Sequence, residues 1–164
     1  MAGGTENHSD LGVAIASILR IRRSGRGCKV FNSDMRVLTD KNGLYTYPDV
    51  SVVCGRRIFV DDRRDVLVNP KLIVEVLWKS TEAKDRGFKF HLYKQVESLE
   101  DYVLVSQSEP LIECFSRLSG GAWSDYSEAC GLDATLVLKS LELEIPLEDI
   151  YREIEFDDSA TAVG

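Results

Sequence analysis

Two short apolar runs in this 164-residue chain each carry one carboxylate. The first is Tyr47-Pro48-Asp49-Val50-Ser51-Val52-Val53-Cys54, and the second is Lys71-Leu72-Ile73-Val74-Glu75-Val76-Leu77. Both are β-branched stretches of the kind that form buried strands. An ionised carboxylate inside such a strand is costly unless it is paired or binds a metal. Period two places Ile73, Glu75, Leu77 and Lys79 on one face and Asp49, Ser51 and Val53 on one face of the other run. If the two strands pair, Asp49 and Glu75 converge on one cation. Mg²⁺ suits such a pair, because it takes few protein carboxylates and keeps its waters. The chemistry would be phosphoryl transfer, with charge on a phosphoryl oxygen offset by the ion.

A lysine beside the carboxylates would hold the phosphate and orient water. Lys79 lies two pleats beyond Glu75, roughly 13 Å away at strand rise. Lys89 lies in the following helix, which can return it to the sheet. It can equally pair with Asp85 at i,i+4 on a helix surface. Glu75 has a plain structural alternative as well, a buried salt bridge to Arg36 or Lys89, and Asp49 could serve turn chemistry after Pro48. His91 reads as a solvated or packed helical residue. His8 sits in Asn7-His8-Ser9-Asp10, a stretch of N-cap candidates, and reads as part of a helix cap.

The elements that position these groups follow from periodicity and punctuation. Leu11, Ile15, Ile18, Leu19 and Arg22 predict a helix over 9–23, ended by Ser24-Gly25-Arg26-Gly27. Residues 28–38 alternate as a strand. Asn42-Gly43 turns the chain into a second strand over 44–54. Pro48 interrupts that strand and is expected at an edge or bulge that re-aims Asp49. Residues 55–69 read as a charged surface loop with a short strand at 58–60. Residues 71–78 form the most apolar strand. A helix capped by Ser80 or Thr81 follows, with Phe88, Leu92, Tyr93 and Val96 as its buried stripe. Strands are expected over 101–106, 111–118 and 122–128, with one more within 136–143 and a short helix at 147–151. The crossover from Glu75 to Tyr102 predicts one parallel pair, right-handed by default. Residues 1–156 read as one domain and 157–164 as a frayed tail.

Composition bounds the rest. The chain is 44% hydrophobic and 29% charged, enough for a core. No run of 18 apolar residues suggests a membrane span, and the start lacks a signal peptide, so a cytoplasmic protein is expected. Cys28, Cys54, Cys114 and Cys130 have no zinc spacing and read as reduced core residues. The net charge of −7 argues against a generic nucleic-acid coat protein. Arg20, Arg22, Arg23, Arg26 and Lys29 nevertheless cluster and could touch phosphates, or could simply favour the helix dipole.

In order along the chain come Met1-Ala2-Gly3-Gly4-Thr5-Glu6-Asn7-His8-Ser9, Phe31-Asn32-Ser33-Asp34-Met35-Arg36-Val37, the two carboxylate runs, Ser80-Thr81, Asp85-Arg86-Gly87-Phe88-Lys89, Leu92-Tyr93 and Leu132-Asp133-Ala134-Thr135. Together they resemble the Uma-two family of restriction-endonuclease-like proteins. That resemblance implies a PD-(D/E)XK nuclease fold, an α/β (α+β) restriction endonuclease-like architecture with a mixed central sheet flanked by helices. It implies a Mg²⁺-dependent endonuclease, with Mn²⁺ as a substitute, acting on DNA. Asp49 and Glu75 match the motif carboxylates, and the Val76 carbonyl would add a third metal ligand. Lys89 matches a motif lysine displaced from the strand into the next helix, in keeping with Leu77 at the strand position. Asp34, Arg36, Arg20 and Arg23 are candidate substrate contacts.

Two departures from the family pattern stand out. Trp78 replaces a small residue, and about thirty residues that family members carry before the Met-Ala-Gly-Gly segment are absent. These departures support a second expectation, a catalytically impaired, dimeric DNA- or protein-binding module. A homodimer is expected in either case, as the commonest way to cover apolar surface.

Overall fold

A computed structural model of the chain describes residues 4–78 and 81–157. Helix α1, Glu6–Arg23, packs Leu11, Ile15 and Leu19 inward. It starts earlier than the apolar period suggests, because Thr5 is the cap and its hydroxyl accepts the His8 N–H. Strand β1 (Cys28–Phe31) and strand β2 (Arg36–Leu38) divide the expected 28–38 strand. The Asn32 side chain splits them by accepting the Asp34 N–H. Their partners, β3 (Tyr45–Thr46) and β4 (Val50–Cys54), are divided at Pro48. The Asn-Gly hairpin therefore exists, but it is bent across two sheets. Its outer part, β2–β3, joins β5 (Val66–Leu67) in a three-stranded sheet. Its base, β1–β4, enters a six-stranded sheet, so Pro48 is the crossing point between sheets and not a bulge in one strand. The expected strand at 58–60 is reduced to a single bridge between Phe59 and Leu67.

The large sheet is completed by β6 (Leu72–Val76), β7 (Asp101–Val105), β8 (Leu111–Ser116) and β9 (Asp125–Cys130), in the order β1-β4-β6-β7-β8-β9. β4 and β6 pair antiparallel, and β6 and β7 form the expected parallel pair. The segment 135–146 makes a hairpin of β10 (Thr135–Leu138) and β11 (Leu143–Pro146), where one strand was expected. A left-handed Glu142 (φ 50°) closes its turn. Helix α4, Leu147–Ile150, follows and adds Leu147 and Ile150 to the core.

The sheet separates two apolar cores. Val50, Val52, Leu72, Val74 and Val76 face α1, α4 and the β10–β11 hairpin. Val53, Ile73, Leu77, Tyr102 and Leu104 face the crossover and the small sheet. The crossover holds α2 (Glu82–Lys84), a π-helical turn (Asp85–Lys89) and α3 (Phe90–Tyr93). A π turn inserts one residue into the helical period and rotates everything beyond it. Phe88, expected in the buried stripe, is therefore 55% exposed, and Phe90 takes its place. Thr81 precedes α2 without capping it, since its hydroxyl goes to the Asp85 carboxylate instead. Ser80 and the tail from 158 lie outside the described residues.

The cysteines depart from the expectation of four reduced core thiols. Cys28 and Cys54 are register partners on β1 and β4 and form a disulfide. Cys130 is exposed, and only Cys114 is a buried free thiol. Residues 26 apart in sequence became neighbours through strand pairing, which spacing alone does not reveal. Among the described residues, no helix is long and apolar enough to cross a membrane.

Candidate active site

A cleft of about 830 Å³ opens between the first half of α1 and the C-terminal end of β6. Its lining includes His8, Asp49, Glu75, Trp78, Asp85 and Lys89. Its position follows from the β4–β6 register. Val50 lies opposite Val74, so extending the pairing by one residue sets Asp49 across from Glu75 on the same face. Asp49 is tied to β6 directly, because its carboxylate accepts the Val76 N–H at 2.7 Å. The N-terminus of α1 is fixed above this end of the strand by Gln107. That side chain accepts from the Thr5 hydroxyl and donates to the Leu77 carbonyl at 2.7 Å.

Glu75 is 2% exposed. One carboxylate oxygen accepts the Tyr93 hydroxyl at 2.8 Å, and the other lies 3.4 Å from the Lys89 ammonium. Lys89 also meets Asp85 at 2.9 Å. Asp85 opens the π turn and Lys89 closes it, so the turn that displaces Phe88 also sets both groups on the sheet side. The Tyr102 hydroxyl holds the turn by donating to the Asp85 carbonyl at 2.8 Å. On the far side, Arg86 pairs with Glu82 and with Glu113 of β8.

Burial pushes the Glu75 carboxyl up to about 8, and the nearby Asp49 and Asp85 charges add to this. Lys89 and the Tyr93 hydroxyl oppose the rise without cancelling it. Burial alone would lower the Lys89 ammonium, but Glu75 and Asp85 outweigh it and its pKa is raised, so it stays charged at neutral pH. Three carboxylates thus lie close to one lysine and one histidine, and burial keeps one of the three, Glu75, reluctant to ionise. That donor set fits a divalent cation of the Mg²⁺ type, which needs only one or two carboxylates and retains water. Among the described residues, no three His, Cys, Asp or Glu side chains form a ready ligand cage.

The other sequence candidates fall in different places. Arg20 lines the cleft. Arg23 is buried, with its guanidinium donating to the Glu142 carbonyl at 2.9 Å. Arg36 pairs with Asp65 and lies over the Tyr45 ring in the small sheet. Asp34 is exposed on the turn between β1 and β2. None of these last three lines the cleft. Lys79 lies outside the described residues. Sequence reasoning had Asp85 only as an i,i+4 partner of Lys89 and Tyr93 only in the helix's buried stripe, and it missed both as neighbours of Glu75. It also placed His8 in a cap, whereas the ring enters the cleft with Nε2 at 3.4 Å from Asp49.

Comparisons with known proteins agree with this architecture. Residues 1–148 match the family model Uma2, described as "Putative restriction endonuclease". The chain is 37% identical over 160 residues to the uncharacterized protein slr1290 of Synechocystis, covering 95% of this chain and 80% of that protein. It is 31% identical over 123 residues to sll1609 of the same organism, covering 75% of this chain and 70% of that protein. In fold it matches the crystal structure of a "putative nuclease belonging to DUF820" from Anabaena variabilis, with a TM-score of 0.76 at 16% identity. That match covers 94% of this chain and 85% of the other. With its mixed sheet and its match over most of its length, the chain belongs to the Uma2 family of restriction-endonuclease-like proteins.

Proposed function

We propose that residues 1–156 form a Mg²⁺-dependent endonuclease of the PD-(D/E)XK type that hydrolyses DNA phosphodiester bonds, with Mn²⁺ able to replace Mg²⁺. The observation that carries this reading is the meeting of Asp49, Glu75 and Lys89 in one cleft, from two paired strands and a π turn. Asp49, Glu75 and the Val76 carbonyl would hold the cation. When bound, a divalent ion supplies Lewis acidity toward a phosphoryl oxygen and acidifies water.

The chain's own groups do the positioning. Glu75 and Asp85 hold the Lys89 ammonium from two sides, and its remaining N–H reaches into the cleft to orient the attacking water. Tyr93 fixes the carboxylate of Glu75 in one rotamer. Arg20, at the outer wall, supplies a cation for a flanking phosphate. Trp78 lines the same cleft and narrows it where the family pattern has a small residue.

Nicking of supercoiled plasmid and of single-stranded DNA tests the reading. Wild type should cut with Mg²⁺ or Mn²⁺ and not in chelator. Glu75→Ala and Lys89→Ala should each lose most of that activity while keeping a native circular dichroism spectrum. Equal cutting by wild type and Glu75→Ala would refute the mechanism.

A further inference from the structure

Each carboxylate strand is flanked by an aromatic residue just outside the sheet. β4 and β6 run antiparallel, so the residues before Asp49 and those after Glu75 leave the sheet at the same end. Tyr47 comes two residues before Asp49, and Trp78 comes three after Glu75. Both line the cleft. Tyr47 is 50% exposed, and Trp78 is partly exposed and belongs to neither apolar core of the described residues. Burial in a core therefore explains neither ring. The His8 imidazole braces the indole, with ring centroids 5.7 Å apart. His8 is held in turn by Asp49, 3.4 Å from Nε2, and by the lack of a side chain at Gly4, where a Cβ would stand 2.6 Å from Nδ1. The same cleft is poor in the groups that grip a duplex, which is held mainly through phosphate contacts from many Lys and Arg side chains. Arg20 and Lys89 are the Lys and Arg residues of its described lining, and Lys89 is already engaged by Glu75 and Asp85.

From this arrangement we infer that Trp78 and Tyr47 form a stacking platform for unpaired bases, and that the site takes single-stranded DNA, or an unpaired stretch, in preference to intact duplex. The inference rests on the nuclease reading above and adds the form of its substrate. Bases in a duplex are stacked on one another and present their faces to a side chain only when flipped out. An unpaired strand presents them directly, and every base has a π face, so stacking holds the strand without reading its sequence. Stacking also needs no broad basic surface, in keeping with a chain of net charge −7. Supercoiled plasmid qualifies as a substrate because underwinding favours short opened stretches.

The test uses the full chain in Mg²⁺ with labelled oligothymidylate and with the same strand paired to oligoadenylate. Wild type should cut the single strand with a KM about tenfold or more below that for the duplex. Trp78→Ala and Tyr47→Ala should each raise the single-strand KM by about tenfold and change kcat by less than about threefold, while keeping a native circular dichroism spectrum. Trp78→Phe, which retains a ring, should recover most of the lost affinity. Fluorescence anisotropy on a Glu75→Gln background should show the same losses in binding with little cutting. Duplex cut as efficiently as single strand, or single-strand binding unchanged in both alanine variants, would overturn the stacking platform and leave the nuclease standing. Wild type that cuts neither form would overturn the nuclease reading and the substrate assignment with it.

Discussion

Strands β4 and β6 present two faces of opposite character. Toward α1 they show Val50, Val52, Leu72, Val74 and Val76, a dry surface of interlocking aliphatic groups. Toward the crossover the same strands show Ser51, Ile73, Glu75 and Leu77, with Asp85 and Tyr93 packed against them. Both faces are buried. One contributes stability through apolar area removed from water. The other gives up part of that contribution to hold an acid that burial makes reluctant to ionise. A single layer of backbone thus serves as the floor of the core and the wall of the cleft, and alternation along the strand keeps the two uses apart.

Substitutions on the two faces should behave in opposite ways. Glu75→Gln should lower metal-dependent nicking by about a thousandfold, roughly 4 kcal/mol of transition-state stabilisation, without lowering the melting temperature in chelator. Leu72→Ala, on the opposite face of the same strand, should cost about 2–5 kcal/mol of stability by leaving a cavity. Its surviving folded fraction should cut DNA normally. Urea unfolding and nicking assays on both variants would break the comparison if the two effects were not separable.

The Arg86–Glu113 pair tests how the π turn is anchored. Arg86→Met would leave the mostly buried Glu113 without its cation and should destabilise the protein by about 1–3 kcal/mol. Burial pushes the Glu113 carboxyl up, but the hydrogen bonds from Arg86 and Tyr126 more than reverse this and hold it below its ordinary value. The wild-type pair therefore contributes stability above the unfolded carboxyl pKa and loses it as pH falls through the depressed folded value. The variant should lack that part of the acid sensitivity in a melting series.

The smallest effect is a pH slope. Without metal, burial pushes the Glu75 carboxyl up to about 8 in the folded protein, against an ordinary 4.5. Between those values the folded state binds more protons than the unfolded state, so stability falls as pH rises across that window and levels off above it. Glu75→Gln should flatten the slope, matching wild type near pH 5 and exceeding it near pH 9. Equal slopes in both proteins would show that the face carrying Glu75 bears no such strain.

Much of this was legible in the residue order. Glu75 and Asp49 stood out because a charge in a β-branched run is anomalous wherever the strand goes. The parallel β6–β7 pair followed from a helical segment between two apolar runs, since a crossover of that kind admits few alternatives. The break of the long hairpin into two sheets was not legible, because pairing partners decide it and Pro48 is compatible with an edge, a bulge or a crossing. The Cys28–Cys54 bond was hidden for the same reason.

By itself, the sequence determined which strands are buried on both faces and where the anomalous charges fall, while spacing left Lys79 and Lys89 as equal candidates beside them. These are properties of local composition and period. The tertiary structure decided which groups meet. The π turn changed the helical phase by one residue, exposing Phe88 and delivering Asp85 and Lys89 together to Glu75. The cap at Thr5 and the gap at Gly4 turned His8 from an expected capping residue into a neighbour of Asp49. Periodicity assumes a uniform helix and a straight strand. The site lies where the helix is irregular and the strand ends, so only packing could set its geometry.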